Sequence, residues 1–182
     1  MTEALRFGIL TLSDRAASGE RADVSGPALA ERIQANGWLV LQQAVIPDEY
    51  EAIASTLRQW ADEGSLDVIL TTGGTGFGLR DVTPEATLAV VQRAAPGLAE
   101  AMRQASLRIN PNAMLSRAAT GIRGQTLIIN LPGSPKGALE NLAVVLPVLA
   151  HAAHLLRGDP AAEGGHTPPA SHPDGEAHGP SV

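Results

Sequence analysis

Four short runs rich in aliphatic and β-branched residues, 6–12, 39–46, 67–72 and 126–131, alternate with stretches of helical periodicity, and this alternation restricts the chain more than any other feature. Successive apolar strands joined through helices form crossover units on a mostly parallel sheet. The expected class is therefore α/β, with helices on both faces of the sheet in a three-layer α/β/α arrangement. Residues 118–123 are expected to run antiparallel to 126–131, with Gly124-Gln125 turning a short hairpin.

Helices are predicted over 25–36, 49–63, 84–93, 97–109 and from 135 to about 156. Three starts carry capping signals: Ser25 before Gly26-Pro27, Thr83 before Pro84-Glu85, and Ser134 before Pro135. Gly37 is a natural stop for the first of these helices.

With 182 residues, 44% of them hydrophobic, the chain can bury one substantial core, so residues 1–158 read as a single domain. Residues 159–182 contain Gly, Pro, His, Ala and Ser but no Leu, Ile, Phe or Tyr. Such a segment cannot offset the entropy cost of ordering and is expected to be a disordered tail. Its evenly spaced His166, His172 and His178 lack the paired spacing of a metal motif.

There is no cysteine, which excludes disulfides and thiolate zinc sites and suits a reducing, cytoplasmic setting. The first residues lack the order of a signal peptide, and no uninterrupted apolar run approaches the roughly 18 residues of a membrane span. The formal charge is −6, but Asp159, Glu163, Asp174 and Glu176 lie beyond Arg157, leaving 13 basic against 15 acidic residues before them. With 3% aromatic residues and no basic stripe, the sequence lacks the surface of a nucleic-acid binder, while small anions remain open because backbone amides can bind them.

In open parallel sheets, ligands bind beyond the carboxyl ends of the strands. The loops expected there are Ser13-Asp14, Pro47-Asp48-Glu49, Gly73-Gly74-Thr75-Gly76 and Pro132-Gly133-Ser134-Pro135-Lys136-Gly137. All four are polar or glycine-rich. The run from Gly73 to Gly76 lets backbone amides approach an anion, the helix after Thr83-Pro84 turns its positive end toward the same region, and Arg80 can add a charged donor. One glycine-rich loop is explained as well by a tight turn; four coincident loops favour a phosphate site. The spacings of the dinucleotide-binding and P-loop motifs do not occur at these loops.

Asp48 and Asp81 stand on separate loops of that edge, where a carboxylate repels phosphate unless a cation bridges them. Mg²⁺ would resolve the conflict and suits metal-assisted nucleotidyl transfer. Locally, Asp48 reads first as a helix cap, with Glu51 completing an Asp-x-x-Glu box worth about 1 kcal/mol. Asp81 reads equally well as a partner of Arg80 or of the loop. Lys136, the sole lysine, is a flexible point charge suited to phosphate or to solvent. His151 and His154 lack a third ligand, and no Ser-His-Asp order, cysteine nucleophile or zinc motif supports covalent or zinc chemistry.

Gly8 to Asp14, Asp23-Val24-Ser25-Gly26-Pro27, the run Thr71-Thr72-Gly73-Gly74-Thr75-Gly76 through Arg80-Asp81-Val82-Thr83-Pro84-Glu85, and Asn130-Leu131-Pro132-Gly133 together resemble the Mog/MoaB molybdenum-cofactor family. Ile46-Pro47-Asp48-Glu49 and the ending Ser134-Pro135-Lys136 are more similar to Mog-type adenylyltransferases and the gephyrin G domain than to typical MoaB sequences. The resemblance implies Mg²⁺-dependent transfer of AMP from ATP to the terminal phosphate of molybdopterin, a homotrimer, and a later protein that inserts molybdate. It places catalytic and metal-binding roles on Asp48 and Asp81, and ligand binding on Ser13, Asp14, Gly73, Gly74, Thr75, Gly76, Ser134 and Lys136. A noncatalytic pterin carrier or scaffold, and a MoaB-like homologue of a tungsten-pterin pathway, are the alternatives. Phe77-Gly78-Leu79 and the segment after 158 depart from the family pattern.

Overall fold

The computed structural model describes residues 4–159. From residue 160 onward, the tail reading and its three histidines lie outside the described residues. The strands are β1 (Arg6–Leu12), β2 (Leu39–Ile46), β3 (Val68–Thr72), β4 (Arg93–Ala94), β5 (Thr120–Arg123) and β6 (Thr126–Leu131). The α-helices are α1 (Asp14–Ala17), α2 (Ser25–Ala35), α3 (Tyr50–Asp62), α4 (Thr83–Val90), α5 (Pro96–Leu107) and α6 (Pro135–Arg157).

One sheet runs in the order β2-β1-β3-β6-β5-β4. The pairs β1/β2, β1/β3 and β3/β6 are parallel, while β5 lies antiparallel to both β6 and β4. The hairpin turns at Gly124, whose φ is +56°. Alternation along the central strands feeds two cores. Phe7, Ile9, Val68, Leu70, Leu127 and Ile129 pack beneath α2, α5 and α6. Leu10, Ile69 and Ile128 point the other way, beneath α3 and α4. Because β1, β3 and β6 are buried on both faces, their sequences read as apolar runs, and the three-layer expectation is met.

Most differences from the sequence reading lie at element ends. The chain leaves α4 after Val90, three residues earlier than expected, because Val91 is extended and the Gln92 amide donates to Ile122 O at 2.8 Å. Two residues later β4 pairs with β5, so tertiary strand pairing takes the place of a last helical turn. Helix α1 and a 3-10 turn over Pro111–Leu115 were not foreseen; each is capped by a side chain, Ser13 and Asn110 respectively.

Two caps are corrected. Ser25 opens α2 without capping it: Asp23 Oδ1 accepts from the amides of Ser25 and Gly26, freeing the Ser25 hydroxyl to donate to Gly133 O. Thr83 is the first residue of α4, and its hydroxyl donates to Gly73 O. Ser134 does cap α6, accepting from the Gly137 amide, and Gly37 follows α2 at φ +75°. By length and composition α6 is apolar enough to cross a membrane, although Glu140 and Asn141 break any long run. Leu142, Val145, Leu149 and Ala153 instead pack into the core.

The far edge of the sheet is held by Asp67, whose side chain is 4% exposed. Arg6 donates to it from its backbone amide and both arms of its guanidinium, and Arg157 from the end of α6 approaches Oδ1 at 2.7 Å. Burial pushes the Asp67 carboxyl up, but the bonds from Arg6 and Arg157 outweigh it and hold the pKa below the usual 3.8. Asp67→Asn is expected to destabilise the fold by about 2 kcal/mol, below the range for fully buried pairs because both arginines reach solvent, and to lower Tm by about 4–8 °C. The carboxylate's contribution is fully present above the unfolded pKa and disappears as pH falls through the lowered folded value. Urea melts should therefore show the gap between wild type and variant closing below about pH 4; a gap unchanged by acid would contradict this assignment.

Candidate functional site

The strand order places a topological switch between β1 and β3: the chain leaves β1 toward β2 on one side and returns past it to β3 on the other. The loops after these strands diverge at their carboxyl ends and leave a crevice. A cavity of about 210 Å³ opens there, lined among others by Ser13, Asp48, Gly73, Gly74, Asp81 and Gly133. A second cavity, of about 280 Å³, adjoins it, with Thr75, Gly76, Ser134, Arg103, Ser106 and Asn141 on its walls. The glycine loop and the Pro-Gly loop before α6 each contribute to both.

Three loops are tied together around two carboxylates. The Asp14 amide donates to Asp48 Oδ2 at 3.0 Å, and the Asp48 amide donates to Asp14 Oδ1 at 3.0 Å. Arg80, from the loop after β3, grips Asp14 with Nε and Nη2 at 3.0 and 2.9 Å. The Arg80 pair and the Asp48 amide together lower the Asp14 pKa. Burial is the main reason that the Asp48 carboxyl is raised, with the neighbouring Asp14 and Asp81 carboxylates adding to it against the opposing Asp14 amide. Asp48 is thus not the helix cap its local sequence suggests: Glu49 precedes α3 and makes no side-chain cap. Arg80 pairs with Asp14, not with Asp81 or an open ligand site.

The glycine loop has a definite polarity. Gly73 O accepts from the Thr83 hydroxyl, Gly74 O from the Thr83 amide, Thr75 O from the Arg117 amide and Gly76 O from Arg117 Nε. All four carbonyls are turned back into the protein. Among the described residues, the amides of Gly74, Thr75 and Gly76 donate to no protein acceptor. A run of free amides beside satisfied carbonyls forms an anion-binding concavity. Glycine is required where the loop leaves β3: Gly73 has φ +114°, and a Cβ there would sit 2.2 Å from Leu12 O.

Asp81 closes the loop. Its Oδ2 accepts from the Gly78 amide at 2.8 Å, and its own amide donates to Gly78 O at 2.9 Å. Asp48 and Asp81 each commit Oδ2 to an amide, while among the described residues neither Oδ1 accepts a hydrogen bond. Both carboxylates line the first cavity. Lys136, in contrast, is 81% exposed at the start of α6, where its Nζ lies 3.9 Å from Glu140. Ser134 lines the second cavity, but its Oγ is occupied by the Gly137 amide.

Sequence reasoning missed Arg15 and Arg21, which line the first cavity, Arg103 on the second, and Arg117 behind the glycine loop. Arg15 follows Ser13-Asp14 directly and carried a usable signal. Arg117 lies 41 residues from Gly76 and carried none.

Comparison with known proteins shows the family of the chain. Residues 8–151 match the family described as "Probable molybdopterin binding domain". The chain belongs to this family. Among named relatives, the molybdopterin adenylyltransferase of Helicobacter pylori (strain J99) is 42% identical over 159 residues, covering 86% of this chain and 90% of that protein. The molybdopterin adenylyltransferase of Escherichia coli (strain K12) is 49% identical over 146 residues, 76% of this chain and 72% of that one. A solved structure of the molybdopterin biosynthesis enzyme MoaB from Thermus thermophilus superposes with a TM-score of 0.80 at 52% identity, covering 86% of this chain and 98% of that one. The chain's near relatives thus include both adenylyltransferases and a MoaB protein.

Within this family site, Gly73→Ala tests the loop's backbone. A side chain there must adopt a positive φ and displace the β1 carbonyl, so a loss of about 2–3 kcal/mol is expected, read as a lowered Tm. A variant melting with the wild type would show that the loop does not require this conformation.

Proposed function

We propose that this chain transfers AMP from ATP to the terminal phosphate of molybdopterin, releasing pyrophosphate in molybdenum-cofactor biosynthesis. The observation that carries the reading is the run of free amides over Gly74, Thr75 and Gly76 beside the open Oδ1 atoms of Asp48 and Asp81. The relatives named molybdopterin adenylyltransferase support it. Two adjoining cavities that share the glycine and Pro-Gly loops suit two substrates meeting through phosphate.

The donor set fits Mg²⁺ shared with substrate. Among the described residues no group of three or more His, Asp or Glu side chains forms a cage of its own. Mg²⁺ is commonly held by one or two carboxylates together with substrate phosphates; burial is the main cause of the raised Asp48 pKa, and the neighbouring negative charges that add to it are charges a cation would balance. Asp48 and Asp81 would hold it through Oδ1; when bound, it offsets phosphate charge.

The chain's own residues then act by positioning and charge stabilisation. The amides of the glycine loop hold phosphoryl oxygens, and Arg15 and Arg21 supply positive charge on the first cavity. A phosphate monoester has a second pKa of about 6, so the attacking oxygen is already largely deprotonated at neutral pH and calls for no protein base. The new bond joins that oxygen to the α-phosphorus of ATP; the bond from the α-phosphorus to the bridging oxygen breaks, and pyrophosphate leaves. Ser13 and Asp14 act through loop geometry, capping α1 and bonding Asp48. A homotrimer and hand-over to a molybdate-inserting protein, which rest on the family resemblance, and a cytoplasmic setting, which rests on the cysteine-free sequence, complete the proposal.

Purified protein given molybdopterin, ATP and Mg²⁺ should yield adenylyl-molybdopterin and pyrophosphate only in the complete mixture. Binding without product, under conditions in which a related adenylyltransferase turns over, would favour a carrier. Asp48→Asn and Asp81→Asn are each expected to lower kcat/KM by about 10²-fold or more with the fold retained by circular dichroism. Wild-type turnover by both folded variants would remove the two carboxylates from the mechanism.

A further inference from the structure

Asp81 sits on a segment with no apolar anchor. Phe77 is 68% exposed and Leu79 fully so; within the turn Gly78 and Asp81 bond to each other, and the Arg80 side chain reaches out to Asp14. Its place relative to Asp48 therefore depends on polar tethers from outside the turn. Arg117, from the stretch before β5, supplies several of them. Its amide donates to Thr75 O at 2.9 Å and its Nε to Gly76 O at 2.7 Å; Nη2 donates to Asp81 O, and Nη1 pairs with Glu85 in the first turn of α4. One rigid fork thus joins both ends of the segment 76–81 and the helix that follows it. All three guanidinium nitrogens are engaged by this segment and α4, so Arg117 is not free to serve as an anion donor. Arginine suits the task because its planar donors point in fixed, divergent directions, which a lysine ammonium cannot reproduce.

We propose that Arg117 is a positioning residue for the transfer reaction: it holds the Asp81 carboxylate and the Thr75-Gly76 amides in the geometry the reaction uses, without touching substrate. The kinetic part of this inference rests on the adenylyl-transfer reading; the structural part does not. The experiment compares wild type, Arg117→Lys, Arg117→Met and Asp81→Asn, alone and combined, by steady-state kinetics with molybdopterin and MgATP and by amide exchange resolved by NMR. In both Arg117 variants, exchange of the hydrogen-bonded Gly78 and Asp81 amides is expected to rise by about tenfold or more, while the β3 and β6 amides keep wild-type protection. The kcat should fall by about tenfold or more with KM for ATP changed by no more than about threefold, and Lys should recover little of the loss. On the Asp81→Asn background, Arg117→Met should add much less than its full effect. Wild-type exchange and kcat in Arg117→Lys, a rise in exchange spread evenly over the whole chain, or a full additional loss on the Asp81→Asn background would each overturn the proposal. Wild-type turnover tests the reaction itself, and the exchange measurement reads Arg117 whatever that control shows.

Discussion

Parallel pairing of β1 with both β2 and β3 is the constraint on which the ligand edge depends. Parallel strands must be joined by crossovers, so their carboxyl ends emerge on one side of the sheet, and the reversal of strand order parts the loops that follow β1 and β3. Loops crowded in this way have more backbone polar groups than local turns can satisfy. The reciprocal bonds between Asp14 and Asp48, the Thr72 hydroxyl on Pro132 O and the Ser25 hydroxyl on Gly133 O all answer that need. Each joins loops distant in sequence, so the crevice is built as one unit.

The glycine loop shows how this satisfaction is directed. Thr83 and Arg117 take its carbonyls, which leaves amides, not carbonyls, for an anion. Carboxylates at the same place would repel phosphate on their own. Arg80 neutralises Asp14, while Asp48 and Asp81 stay unpaired by any basic side chain among the described residues and together favour a shared cation. Basic groups, free amides and two acidic groups within one small crevice suit the proposed transfer between two phosphorylated substrates: the first two would attract the anions, and the carboxylates would hold a cation.

The opposite edge has a different task. Asp67, Arg6 and Arg157 bring the beginnings of β1 and β3 to the end of α6, and none of them reaches the crevice. A buried ion-pair cluster thus sits at one end of the strands and the polar crevice at the other. The glycine loop can then carry positive φ angles and free amides without the fold depending on it for its core.

Much of this was legible in the residues themselves. Strand and helix order followed from apolar runs and their periodicity, because burial on two faces leaves a direct mark on composition; the glycine loop, Asp48 and Asp81 were legible because loops at strand ends share one edge in any such sheet. Local capping rules failed at Ser25, where Asp23 takes the first amides of α2, and at Thr83 and Asp48, whose side chains bond to Gly73 O and the Asp14 amide instead. The choice of Asp14 as the partner of Arg80, 66 residues away, and of Gly76 as the partner of Arg117, 41 residues away, belongs to the tertiary structure alone. The sequence by itself determined which elements form and which loops carry polar chemistry; only the packed sheet decided which carboxylates stay open and which are neutralised, because hydrogen bonding between loops depends on spatial approach that no local pattern encodes.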